Sequence, residues 1–92
     1  MLSIVYTQKM KRDVKRIQKR GKNLSKLTIV LDLLASETQM PEKYRDHPLK
    51  GEMRGYRECH IEPDWLLVYR IHEEQLILLA VGTGTHSDLF DE

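Results

Sequence analysis

Residues 57–81, RECHIEPDWLLVYRIHEEQLILLAV, decide the fold. Three runs rich in aliphatic, β-branched and aromatic residues follow one another here, at about Gly55 to Ile61, Trp65 to Ile71 and Gln75 to Val81, and each reads as a strand. Only Glu62-Pro63 and His72-Glu73-Glu74 connect them. Links this short cannot carry the crossover that parallel neighbours need, so the three strands form an antiparallel meander. The polar left end of the stretch is harder to place. A core strand has no need of a histidine, two glutamates, a proline and an aspartate beside it.

Upstream of the meander, Ser3 to Tyr6 reads as a short first strand, and Thr7 can cap a helix running to about Arg20, with Gly21 as its stop. Met10, Val14 and Ile17 give that helix a narrow apolar stripe amid charged residues. A second helix starts at Asn23 or Ser25 and carries Leu27, Val30, Leu31 and Leu34 at helical spacing, with Ile29 and Leu33 widening the face. From Ser36 to Gly51 the periodicity fails around Pro41 and Pro48, predicting a long loop, and a loop of that length in a compact domain is usually functional or disordered. Gly82 to Gly84 predicts a flexible bend, and Thr85 and Asp88 have capping-box spacing for a short terminal helical turn. The expected architecture is α+β: two N-terminal helices on one face of a small, mainly antiparallel sheet, in the order βααβββ, as one domain over residues 1–92.

Composition narrows the class. Ninety-two residues, 40% of them hydrophobic, suffice for one core and leave no room for a bulky cofactor. Cys59 is the one cysteine, which excludes an internal disulfide and a cysteine-rich zinc module. No apolar run reaches the roughly eighteen residues of a membrane span, and no secretory leader pattern opens the chain, so a cytoplasmic protein is expected. The charge is unevenly spread: residues 1–37 hold nine Lys/Arg against three Asp/Glu, and residues 38–92 hold six against eleven. The basic half suits a polyanion, although a charge run by itself reads first as a solvated helix face.

Of four histidines, His72 sits at a hairpin tip and reads as a solvated turn residue. His47, His60 and His86 each lie at an element boundary. Strand alternation puts Tyr56, Glu58 and His60 on one face and Arg57, Cys59 and Ile61 on the other, so that a carboxylate could orient the His60 imidazole. Three histidines and Asp64 allow two chemistries. A metal site would draw ligands from four separate segments without a paired helical spacing, and we expect neither a metal nor a cofactor. Metal-free acid–base chemistry fits the residue types better, because imidazole both gives and takes a proton near neutrality. Cleavage of RNA by its own 2′-OH needs that pairing, together with cationic donors for the phosphorane.

The strings "DHPLKG", "GYRECHIEPDWLLVY" and "GTGTHSDLF", in this order after a basic helical hairpin, resemble the YafQ branch of the RelE superfamily of bacterial toxins. The resemblance spans essentially the whole chain. It implies a ribosome-dependent endoribonuclease that cuts mRNA in the ribosomal A site, contacts ribosomal RNA and is neutralised by a cognate antitoxin. It further implies catalytic roles for His47, His60, Asp64 and His86, with His60 and His86 as the preferred proton carriers. Arg54, Arg57, Trp65 and Phe90 are the implied RNA contacts, although Trp65 is also a natural core aromatic. Many relatives carry an arginine where this chain has Gly82, and Arg54, Arg57, Arg70 or Lys50 would have to replace it. Absence of that arginine also admits a catalytically weak binding module.

Overall fold

The computed structural model describes residues 1–90. Strand β1 (Ser3–Tyr6) leads to helices α1 (Gln8–Lys19) and α2 (Leu24–Ala35), then to β2 (His47–Pro48), β3 (Arg57–Glu62), β4 (Trp65–His72), β5 (Ile77–Gly84) and α3 (His86–Phe90). The five strands lie in the order β1-β5-β4-β3-β2. β1 runs parallel to β5 and every other pair is antiparallel.

Local chemistry sets the helices. Thr7 accepts the Met10 N–H at 2.9 Å as N-cap of α1, and Asn23 accepts the Ser25 N–H at 3.0 Å as N-cap of α2. Gly21, at φ +80°, ends the first helix in the left-handed region. Met10 and Ile17 of α1 and Leu27, Val30, Leu31 and Leu34 of α2 close over Cys59, Trp65, Leu67, Tyr69, Leu78 and Ala80 of the sheet. Ile29 departs from the expected apolar face and is 53% exposed.

Three expectations need correction. Within the expected loop, His47 and Pro48 form an edge strand, with His47 opposite Glu58 and Pro48 opposite Arg57. Two residues carry too little pattern to be read as a strand; only β3 makes them one. Second, Gly82, Thr83 and Gly84 are not a flexible bend. They are buried and continue β5 opposite Val68, Leu67 and Leu66, a register shift between Val68 and Tyr69 absorbing one residue. Third, two strands start later than expected. Gly55 at φ +95° precedes β3, and Leu76 at φ +54° closes the 3₁₀ turn before β5.

β1 ends opposite Ala80, which leaves the edge of β5 open beyond it. α1 covers this edge. Thr7 Oγ1 donates to the Val81 carbonyl at 2.9 Å, and the buried Asp13 accepts the Thr83 N–H at 3.1 Å. Asp13 also takes Lys9 and Arg16, each at 2.7 Å. Thr83 Oγ1 in turn accepts the Trp65 Nε1–H at 2.9 Å and donates to the Leu66 carbonyl at 2.6 Å. Helix α1 and strands β5 and β4 are thus joined by one buried polar chain. Among the described residues, no helix is long and apolar enough to cross a membrane.

Candidate active site

On the sheet face away from the main core, strand alternation aligns Glu58 and His60 with Leu66 and Val68, their cross-strand partners. β2 brings His47 to the same place by pairing with Glu58. Nε2 of His47 and Nε2 of His60 lie 3.4 and 3.5 Å from one carboxylate oxygen, Oε1 of the buried Glu58. The rings form a row: the His47 and His60 centroids are 6.1 Å apart, and those of His60 and His86 are 6.0 Å apart. Three segments distant in sequence therefore converge on His60.

His86 begins α3 and is fixed by Asp64 from the β3–β4 turn. One oxygen of Asp64 accepts the His86 backbone N–H at 3.0 Å and faces ring Nδ1 at 2.8 Å. The backbone N–H, then the ring, hold the Asp64 carboxyl below the usual carboxylate range. An ionised carboxylate only accepts, so Nδ1 carries a proton, and in the neutral ring the lone pair is then on Nε2. That is the tautomer of a general base. His60 differs. Its side chain is 12% exposed and, among the described residues, its buried Nδ1 has no hydrogen-bond partner that would fix which nitrogen holds the proton.

A second anchor holds α3. Arg20, the C-cap residue of α1, grips Asp88 through both terminal nitrogens, at 2.6 and 3.2 Å, and Asp88 and Thr85 exchange the two bonds of a capping box. Arg20, followed by desolvation and Thr85 acting in opposite senses, leaves the Asp88 carboxyl well below its ordinary range. Gly84 makes room for this arrangement, since a Cβ there would fall 2.7 Å from an Asp88 oxygen. The turn carrying Asp64 is tied down similarly, because the neighbouring Glu62 accepts from Lys22 and Lys26 at 2.9 and 2.8 Å.

The four catalytic candidates thus meet in one row, but the RNA-contact candidates do not. Trp65 is 1% exposed and belongs to the core, where no base can reach its face. Arg57 points to the opposite face, where it donates to Asp46 at 2.9 Å and to the Tyr69 hydroxyl at 3.3 Å. The Tyr69 hydroxyl in turn donates to Asp46. Arg54 is exposed in the loop before β3, and Phe90 is half-buried at the end of α3. Arg70 shares the alternation of Leu66 and Val68 and lies 5.4 Å from the Tyr56 ring centre, which makes it a cation on the histidine face. At Gly82, a Cβ would meet Asp13 Oδ2 and Lys9 Nζ at 3.0 Å, so the Lys9–Asp13 pair fills the space that a larger residue would need. Glu58 is the site residue that the catalytic set read from sequence left out. Its signal was the shared face with His60.

His47, Glu58 and His60 could also hold a metal ion. Two imidazole nitrogens and a carboxylate oxygen lie within 4.8 Å of one another, a donor set that suits zinc or copper.

Residues 2–91 match the model of the YafQ family, bacterial toxins of type II toxin-antitoxin systems. The mRNA interferase toxin YafQ of Escherichia coli K12 is 43% identical over 88 residues, covering 95% of this chain and 94% of that protein. Among solved structures, a metal-bound toxin from Helicobacter pylori is 44% identical and superposes with a TM-score of 0.93, covering 98% of this chain and 100% of that one. The E. coli DinJ-YafQ complex matches at 40% identity and a TM-score of 0.89, covering 98% and 99%.

Proposed function

The chain belongs to the YafQ toxin family, and on that premise we propose that it is an endoribonuclease that cuts mRNA on the ribosome by metal-free acid–base catalysis. The observation that carries this reading is the row His47, His60, His86, with Asp64 bound to His86 and Glu58 facing both His47 and His60. His86 Nε2 takes the proton of the ribose 2′-OH, whose oxygen attacks the adjacent phosphorus. The P–O5′ bond breaks as His60, in its imidazolium form beside Glu58, gives a proton to the departing 5′-oxygen. The products are a 2′,3′-cyclic phosphate and a 5′-hydroxyl, and His47 and Arg70 face the charge that gathers on the phosphoryl oxygens. A metal ion held by His47, Glu58 and His60 would supply a Lewis acid for those oxygens. It would also take one ring nitrogen of His47 and one of His60, so that His60 could no longer form the imidazolium that serves as the acid.

The basic surface divides into two parts. Lys9, Arg16, Arg20, Lys22 and Lys26 are held in ion pairs within the molecule. Lys11, Arg12, Lys15 and Lys19 remain as an exposed stripe along α1, suited to the phosphate backbone of ribosomal RNA. An antitoxin partner is supported by the complex of the E. coli relative with DinJ. The direct test of the catalytic roles is substitution of His60 or His86 by alanine, which should lower cleavage of ribosome-bound mRNA by at least about 10²-fold. A decrease of about tenfold or less would reduce that histidine to a positioning role.

A further inference from the structure

An open groove of about 490 Å³ runs between α2, the 3₁₀ turn at Glu42–Tyr44 and the end of β3. We propose that it is a subsite for the nucleotide that adjoins the cleaved phosphodiester, with Lys43 and Arg45 on the phosphate and Ile29, Tyr44 and Ile61 against the base. The inference rests on the ribonuclease reading above.

Continuity is the first argument. His60 lines the groove and is also the middle ring of the histidine row, so a strand whose phosphate reaches His60 has the groove beside it. Charge is the second. Lys26 at the groove wall is bound to Glu62, but among the described residues neither Lys43 nor Arg45 has a carboxylate within ion-pair distance. Lys43 is held instead over the Tyr44 ring, 5.0 Å from its centre. Placement is the third. Arg45 ends the 3₁₀ turn in the left-handed region, at φ +48° and ψ +44°, as Leu76 ends the turn before β5, and this turn brings both Lys43 and Arg45 to the groove. Finally, Ile29 is an exposed apolar residue on a helix whose other large apolar side chains are wholly or partly covered. A base laid on Ile29 would cover it. The volume falls in the range of sites that hold small ligands, about 300–1,000 Å³. A cationic rim with an apolar wall would also accept an acidic segment of an antitoxin. The shared catalytic ring favours RNA, because a nucleotide here is continuous with the substrate.

The test uses the full chain on ribosomes programmed with a defined mRNA. Lys43→Gln/Arg45→Gln should raise the half-saturating toxin concentration about tenfold while the maximal cleavage rate changes by less than about threefold. An mRNA lacking the base next to the cut should bind wild type more weakly, and this penalty should largely disappear in Ile29→Ser. Unchanged saturation in both variants would overturn the proposal, as would variants that lose only inhibition by an antitoxin, which would assign the groove to that partner. A 2′-deoxy nucleotide at the cut separates this inference from the catalytic reading. If that mRNA binds through the groove while all-ribose mRNA stays uncut, the catalytic reading fails and the subsite stands. If mRNA is cut equally by wild type and the groove variants, the subsite fails and the catalytic reading stands.

Discussion

A single oxygen of Asp64 holds His86 twice, accepting its backbone N–H at 3.0 Å and lying 2.8 Å from ring Nδ1. The imidazole is therefore fixed in both orientation and tautomer by a residue of the β3–β4 turn, which lies beside the end of β5. Asp64→Asn keeps an acceptor but removes the charge that stabilises the imidazolium formed when His86 takes a proton. Asp64→Ala removes both. We expect single-turnover cleavage to fall by about tenfold in the first and by about 10²-fold or more in the second. Half-saturation should move little in either variant. Equal rates for the alanine variant and wild type would show that Asp64 is a bystander.

The Arg20–Asp88 pair anchors α3 from behind, and its contribution has a definite pH sense. The Asp88 carboxyl is depressed in the folded state, so its stabilisation is fully present above the unfolded value of about 3.9. It fades as pH falls through the lower folded value. Melting temperatures of wild type and Asp88→Asn should therefore differ by a constant amount above about pH 5 and converge as pH drops towards 2. A gap that widened in acid would contradict this linkage.

Asp13 is a further test of the fold. It is 3% exposed and accepts the Thr83 N–H at the open edge of β5. Lys9 and Arg16 can turn to water when it is removed, so those two ion pairs weigh little. The Thr83 N–H cannot. Asp13→Ala should cost about 1–3 kcal/mol in denaturant unfolding, chiefly from that orphaned donor. A neutral substitution would mean that water reaches the edge.

The exposed stripe Lys11, Arg12, Lys15 and Lys19 makes a prediction about salt. Replacing these four by glutamine should weaken ribosome binding and flatten its salt dependence, by up to about 0.9 in the log–log slope for each phosphate that is no longer neutralised. Replacing Lys22 and Lys26, which serve Glu62, should act through the β3–β4 turn and leave the slope nearly unchanged. Identical slopes for wild type and the four-residue variant would remove α1 from the ribosome interface.

Much of this was legible in the sequence. Short links at Glu62-Pro63 and His72-Glu73-Glu74 announced the meander, and Thr7 and Asn23 announced the helix starts. The face shared by Glu58 and His60 followed from alternation alone. What could not be read depended on packing between distant segments. His47 and Pro48 are a strand only because β3 lies beside them. The run Gly82 to Gly84 looks like a hinge, yet β4 holds it as strand, and Asp13 reads as one more charge until Thr83 is seen above it. Trp65 and Arg57 carried the resemblance to RNA-contacting positions. Packing places one inside the core and the other on Asp46, an outcome set by which sheet face the helices cover.

The catalytic reading turns on whether the 2′-OH is the nucleophile and whether His47, Glu58 and His60 work without a metal. The decisive measurement is the identity of the ends formed when the protein cuts mRNA on ribosomes, with a chelator selective for transition metals present and ribosomal magnesium left in place. A 2′,3′-cyclic phosphate and a 5′-hydroxyl, formed at an undiminished rate, are the expected result. Cleavage that stops with the chelator, or that leaves a 5′-phosphate, would contradict acid–base cleavage by these histidines.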